Sequence, residues 1–239
     1  MNLPKINVLK LKNIPIFQQL QLEEALLRAD SRNWCIINEG SPAAIVMGIS
    51  GQFESLINQP LIRFKPLPVI RRFSGGGTVI IDENTQFVSF ICNSKELQVE
   101  CYPDKVFKWS ASFYQPVFAD TGFRLLENDY VVKSRKFGGN AQYMRKDRWL
   151  HHSSLLWDFN PLNMEYLMIP SKTPEYRQRR HHTDFLCCLK DYMKKTTFND
   201  NLDNELQKRF KVEIVTYEEA KKVQEEPHRK ATSLYQVPK

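Results

Sequence analysis

Arg71-Arg72-Phe73-Ser74-Gly75-Gly76-Gly77-Thr78-Val79-Ile80-Ile81-Asp82 places two guanidiniums and three bare glycines between β-branched runs. Glycine reaches positive φ without a Cβ clash and lets a ligand approach the backbone. Successive N–H groups in such a turn form an anion-binding concavity. The guanidiniums add forked donors suited to carboxylate or phosphate. A glycine-rich hairpin with solvated arginines is the plain structural alternative. No Gly-Lys-Ser/Thr follows, which excludes a P-loop. No G-x-G-x-x-G runs into a helix, which argues against a dinucleotide fold. The pattern predicts a strand over 69–73, a turn, and a return strand over 78–82.

Upstream, residues 6–11 alternate as a first strand. Pro15 suits a helix start, and Phe17, Leu20, Leu22, Leu26 and Leu27 form its apolar stripe. Glu23 and Glu24 read as solvent-facing or as arginine partners. Strands are predicted over 35–38 and 44–48, with Gly40-Ser41-Pro42 as a turn. A short helix at 53–58 precedes an irregular connection marked by Pro60, Pro66 and Pro68. Downstream, strands over 86–92, 123–126 and 130–133 flank a helix over 102–119 that Pro116 should kink or end. Gly138-Gly139 reads as the opening of a hairpin with arms 142–145 and 150–157. Helices at 162–168, 184–195 and 202–210 and a strand at 212–215 complete the reading. Strand-rich, hairpin-like connectivity predicts an α+β domain on a largely antiparallel or mixed sheet flanked by helices.

The formal charge of +7 favours an anionic partner. Five cysteines without C-x-x-C spacing argue against zinc or a disulfide framework and for a reducing compartment. No apolar run reaches membrane-span length, and no basic, aromatic-interleaved platform points to nucleic acid. A cytoplasmic setting is expected, or a mitochondrial or plastid one for a processed chain. The basic run Arg177, Arg179, Arg180, His181, His182, Lys190, Lys194 and Lys195 reads as a solvated face, with docking of an acidic partner as its functional alternative.

A second stretch, Arg135-Lys136-Phe137-Gly138-Gly139-Asn140-Ala141, precedes His151-His152-Ser153-Ser154-Leu155-Leu156. With the glycine turn and Leu20-Gln21-Leu22-Glu23-Glu24, these segments resemble, in order, the motifs of the lipoate–protein ligase A family. That family belongs to the wider biotin and lipoate ligases. The resemblance covers most of residues 15–160 and implies the class II tRNA-synthetase-like fold. It also implies a ligase that uses ATP, Mg²⁺ and lipoate. Lipoate and ATP would give lipoyl-AMP, and the lipoyl group would pass to a lysine of a carrier domain. Carriers would be lipoyl domains of 2-oxoacid dehydrogenase complexes or the glycine cleavage H protein.

By the same resemblance, Lys136 is the catalytic lysine, reaching both the acyl oxygen and the α-phosphate. Arg71, Gly75, Gly76, Gly77, Thr78 and Val79 would bind nucleotide together with Lys136. Arg72, Ser74, Gly138, Gly139, Asn140 and His152 would meet lipoate. Adjacent His151 and His152 face opposite ways on a strand and cannot share a metal; His152 is favoured for the pocket. Asp82 is either a magnesium–phosphate ligand or the cap of the turn with Asn84. Where the family has an aromatic–histidine pair this chain has Ile80-Ile81. Residues 1–239 read as one catalytic domain without a C-terminal accessory domain, so activation is expected to need a separate small protein. Two other readings are a transferase working through a cysteine, with Cys187 and Cys188 as the thiols weighed, and a non-catalytic lipoate or lipoyl-AMP binder.

Overall fold

The computed structural model describes residues 3–238. The first half contains β1 (Lys5–Lys12), α1 (Ile16–Ala29), β2 (Trp34–Glu39), β3 (Ala44–Met47), α2 (Phe53–Leu56), α3 (Gln59–Phe64), β4 (Val69–Arg71), β5 (Val79–Ile81), β6 (Thr85–Asn93), α4 (Ser94–Leu97) and α5 (Pro103–Val117). After these come β7 (Phe123–Leu126), β8 (Asp129–Val132), β9 (Arg135–Arg145), β10 (Arg148–Leu156), α6 (His182–Phe185), α7 (Lys195–Arg209), β11 (Lys211–Ile214), α8 (Tyr217–Lys221) and β12 (Ser233–Leu234).

An eight-stranded sheet runs β11-β1-β2-β6-β10-β9-β8-β7, and a four-stranded sheet runs β12-β4-β3-β5. β1 is parallel to β11 and β2, and β3 is parallel to β4; every other pairing is antiparallel. The α+β class and the mixed, mainly antiparallel sheet agree with the sequence. Alternate residues explain why the large sheet is covered on both faces. Cys35, Ile37, Val88 and Phe90 pack with Phe113, Phe118 and Phe198 of the α5–α7 side. Trp34, Ile36, Ile91 and Leu150 pack with Leu22, Leu26 and Leu27 of α1.

Four local expectations are corrected. β4 and β5 are not hairpin partners, because β3 lies between them, parallel to one and antiparallel to the other. The glycine turn is therefore a crossover that leaves its backbone exposed to a cleft. Gly138-Gly139 opens no hairpin; both sit inside the continuous β9, and the turn falls at Lys146-Asp147. A Cβ at Gly138 would stand 2.9 Å from Leu155 Cδ2 and 3.0 Å from Tyr130 Cδ2, so glycine there relieves crowding. The helix expected over 184–195 breaks up, since Cys187 N–H donates to Lys136 O at 2.9 Å and draws that segment along β9. Pro60 starts α3 instead of marking a loop, with Asn58 Oδ1 accepting from Leu61 N–H at 3.3 Å.

Glu23 and Glu24 are also not solvent-facing: they are 0% and 1% exposed. Among the described residues no helix is long and apolar enough to cross a membrane.

Candidate functional site

The edge of the small sheet, the glycine turn and the β9–β10 pair enclose a cleft of two adjoining cavities, about 460 and 390 Å³. Gly77, Thr78, Val79, Asp129, Lys136 and Gly139 wall both. Lys136 stands at the junction, its Nζ 2.7 Å from Asp129 Oδ1. Tyr176 O–H donates to the other oxygen, Oδ2, at 2.8 Å. Burial, then the Asp129 charge, pushes the Tyr176 hydroxyl well up, so it remains a donor at neutral pH. The carboxylate fixes the ammonium without removing it from the cleft.

The turn is built around Arg72, which is 5% exposed. Its Nη2 donates to Gly75 O and Gly77 O, both at 2.8 Å, and Nη1 to Val46 O at 3.3 Å. Burial lowers its pKa to about 10, which still leaves it charged at neutral pH. Gly76 has φ +103°, and a Cβ there would meet Arg72 Nη2 at 2.8 Å. A Cβ at Gly75 or Gly77 would meet nothing within 4 Å. Ser74 is buried, and its carbonyl accepts from Ile49 N–H at 3.0 Å. Thr78 Oγ1, on the shared wall, is buried without a hydrogen-bond partner, as is Gln142 Oε1 in the smaller cavity. Unpartnered buried polar atoms beside bare backbone fit a polar ligand.

His152, and not His151, lines the smaller cavity. Its Nδ1 lies 3.0 and 3.1 Å from the Glu23 carboxylate oxygens, and Ser89 O–H and Gln19 N–H donate to the same group at 2.6 and 2.8 Å. Asn140 is braced by its own bonds: Nδ2 donates to Asn128 O at 3.0 Å, and Oδ1 accepts from Ser153 O–H at 2.7 Å.

His151 turns into the core between Tyr130 O–H and Gln142, at 2.8 and 2.9 Å. Burial pushes its pKa down to about 3 from 6.5. Below about pH 6.5 the unfolded chain takes a proton that the folded chain refuses, so stability must fall as pH drops through that window. Urea unfolding at about pH 7.5 and about pH 5 should show a loss on the order of 2 kcal/mol from this group. His151→Gln should flatten that slope; an identical slope in the variant would discard the assignment.

Four sequence-named residues, Arg71, Ser74, Asp82 and Gly138, line neither cavity. Arg71 donates to Ile49 O and Gly51 O at 2.9 and 2.7 Å and lines neither cavity. Asp82 accepts from Asn84 N–H at 2.9 Å and Asn163 Nδ2 at 3.3 Å, the geometry of a turn cap. Gly138 is buried against Leu155 and Tyr130. The basic run is not wholly a solvated face: Arg177 is 5% exposed, and Arg177 and Arg180 stack on Phe185 at 4.8 and 5.4 Å. Sequence reasoning missed Glu23 as a site residue, and it missed Asp129, Gln142 and Tyr176. An acidic residue at a strand end or on a helix carries no local sign that a donor awaits it in the fold. Among the described residues, no group of three or more His, Cys, Asp or Glu side chains could hold a metal. No cysteine lines either cavity.

The sequence model of the lipoyl protein ligase A/B catalytic domain matches residues 15–211. A Plasmodium falciparum protein named inactive lipoate–protein ligase 2 is 28% identical over 250 residues, covering 78% of this chain and 64% of that protein. The chain spans about half to two thirds of the length of the curated relatives it matches. A bipartite lipoate protein ligase from Thermoplasma acidophilum, solved in a study of that ligase and its E2 lipoyl domain, superposes with a TM-score of 0.72 at 15% identity, covering 94% and 91% of the two chains. A lipoate-protein ligase A bound with ATP gives 0.70 at 14% identity, covering 94% and 93%. At such identities these two likenesses speak for the fold alone.

Proposed function

The chain belongs to the lipoyl protein ligase A/B catalytic domain family, and we propose that it works as an ATP-dependent lipoate–protein ligase. The carrying observation is Lys136 at the junction of two adjoining cavities. The smaller has an apolar side of Ile16, Leu20, Val46 and Phe87, suited to an acyl tail. The larger adds Glu127, Arg177 and His182 to the shared Asn128 and Asp129, with Leu167, Met168 and Phe185 beside them, so a nucleotide would find polar partners and an apolar face for its base. A mixed acyl–phosphate anhydride spanning both would put its reacting centre beside the ammonium.

In the first step a lipoate carboxylate oxygen attacks the α-phosphorus of ATP, and pyrophosphate leaves. In the second, a carrier-lysine amine attacks the acyl carbonyl; AMP leaves, and the amine loses its proton. Both transition states gather negative charge on oxygens that Lys136 and the turn's N–H groups can meet. Magnesium would come with the nucleotide and offset phosphate charge, and Asp129, on the wall shared by both cavities, would be the carboxylate to meet it. Asp82 is less suited, being held by Asn84 and Asn163. The carrier would be a lipoyl domain presenting its lysine at the mouth of the cleft. The reading of residues 1–239 as one catalytic domain belongs to the same proposal, and β11 and β12 do lie in the two sheets.

One observation favours a non-catalytic binder as the second reading. Asp129 holds Lys136 in an ion pair at 2.7 Å, on a chain whose Plasmodium relative is named inactive. The thiol-transfer reading has less support, since burial raises the Cys188 thiol to about 11 and keeps Cys187 inside.

The deciding experiment incubates the purified chain with an apo lipoyl domain and either lipoyl-AMP or ATP, magnesium and lipoate. Transfer from lipoyl-AMP is expected from the chain alone. The likeness to a ligase described as bipartite supports a two-protein reading, on which that half is slow until a separate small protein is added. Full-speed ligation without a partner would refute the second expectation. Failure to use lipoyl-AMP would leave the binder and a transferase fed by an acylated carrier.

A further inference from the structure

After the 3-10 turn at Lys222–Glu225 the chain runs back across α1 to the small sheet. Ala231 N–H reaches both oxygens of the Glu24 carboxylate at 3.0 Å, and Thr232 N–H reaches one at 2.9 Å. Arg28 Nε donates to the same group at 2.9 Å. A carboxylate so deeply buried persists only when donors surround it, so the tail's amides are part of its solvation. β12 then adds to the edge of β4, Ser233 opposite Arg71 and Leu234 opposite Ile70. Tyr235 N–H donates to Val69 O at 2.7 Å. The Tyr235 ring stacks on Phe53 with centroids 5.0 Å apart, and the Arg71 guanidinium lies over it at 5.3 Å.

Arg71 is the link inward. Its two bonds go to the carbonyls of Ile49 and Gly51. The loop carrying them touches the glycine turn at two points. Ile49 N–H donates to Ser74 O at 3.0 Å, and a Cβ at Gly48 would stand 2.2 Å from Gly76 O. The two backbones are therefore in direct contact, and a shift of one must move the other.

We propose that Arg71 is a positioning residue, not a ligand contact, and that the 231–237 strap acts through Tyr235 and Arg71 to hold the glycine turn in its ligand-ready shape. The name of the ligand rests on the reading above; the coupling itself is a property of the ligand-free chain. A loosened turn must be re-ordered on binding, and that cost appears in affinity and not in the chemical step.

Hydrogen exchange across residues 73–79 of the ligand-free protein reads the coupling directly. Titration with lipoyl-AMP and transfer at saturation read its consequence. Tyr235→Ala should speed exchange about tenfold and weaken lipoyl-AMP binding about threefold to tenfold, with kcat for transfer unchanged. Tyr235→Phe keeps the stacked ring and should match the wild type. Unchanged exchange in Tyr235→Ala, or equal effects from alanine and phenylalanine, would overturn the proposal. If Tyr235→Ala does not fold, Arg71→Met cuts the same link, and normal exchange in that variant overturns the proposal equally. Wild-type protein that binds no lipoyl-AMP would overturn the ligand assignment alone, because the exchange comparison still decides the strap.

Discussion

Lys136→Ala should lower acyl-adenylate formation by about a hundredfold to a thousandfold, the loss typical of one donor aimed at developing oxyanion charge. The fold should survive. The Lys136 side chain is 23% exposed, and its backbone carbonyl keeps the bond from Cys187 N–H whatever the side chain. Asp129 loses its ion-pair partner but retains the Tyr176 O–H donor at 2.8 Å, which limits the penalty for the carboxylate left behind. Pyrophosphate release, measured beside a thermal melt, separates the two effects. A folded variant releasing pyrophosphate at near wild-type rate would remove Lys136 from the chemistry. A wild type that binds lipoyl-AMP yet releases none, even with the partner supplied, would favour the binder.

Gly76→Val and Gly77→Val should both defeat ligand binding, but for different reasons. At Gly76, φ of +103° is strained for a branched residue, at a cost of about 1–3 kcal/mol. The added carbons would also displace Arg72 from Gly75 O and Gly77 O, its acceptors at 2.8 Å. A buried guanidinium stripped of its acceptors is costly, so Gly76→Val should melt several degrees lower. At Gly77 a Cβ meets nothing within 4 Å, and stability should hold. The valine would nevertheless stand on the wall shared by both cavities, weakening lipoyl-AMP at least tenfold, roughly the 1–3 kcal/mol of overpacking. Calorimetric titration and melting of both variants provide the check. Wild-type affinity in Gly77→Val would mean that the turn serves the fold only.

Local period and residue type were enough to announce part of this fold before any long-range contact was known. Alternation located β1, and apolar runs beside turn residues located β2, β3 and β6; a helical stripe located α1; and Pro116 ended up within the last turn of α5. The ordered motifs carried the family, and with it Lys136 and the glycine turn as candidates. Tertiary structure alone decided which strands pair and which polar groups are buried, because those outcomes depend on residues far apart in the chain. β3 separates β4 from β5 by pairing with both, which no local turn signal can announce. Glu23 and Glu24 sit side by side on one helix, yet one braces His152, 129 positions away, and the other grips Ala231, 207 positions away. Before folding, nothing distinguishes either from a solvated glutamate; in the folded chain a buried charge stays only where donors have been brought to it. The same logic turned Arg71 toward two loop carbonyls and Asp82 toward its own turn. It also placed Asp129, at the start of β8, against the lysine on which the proposed chemistry depends.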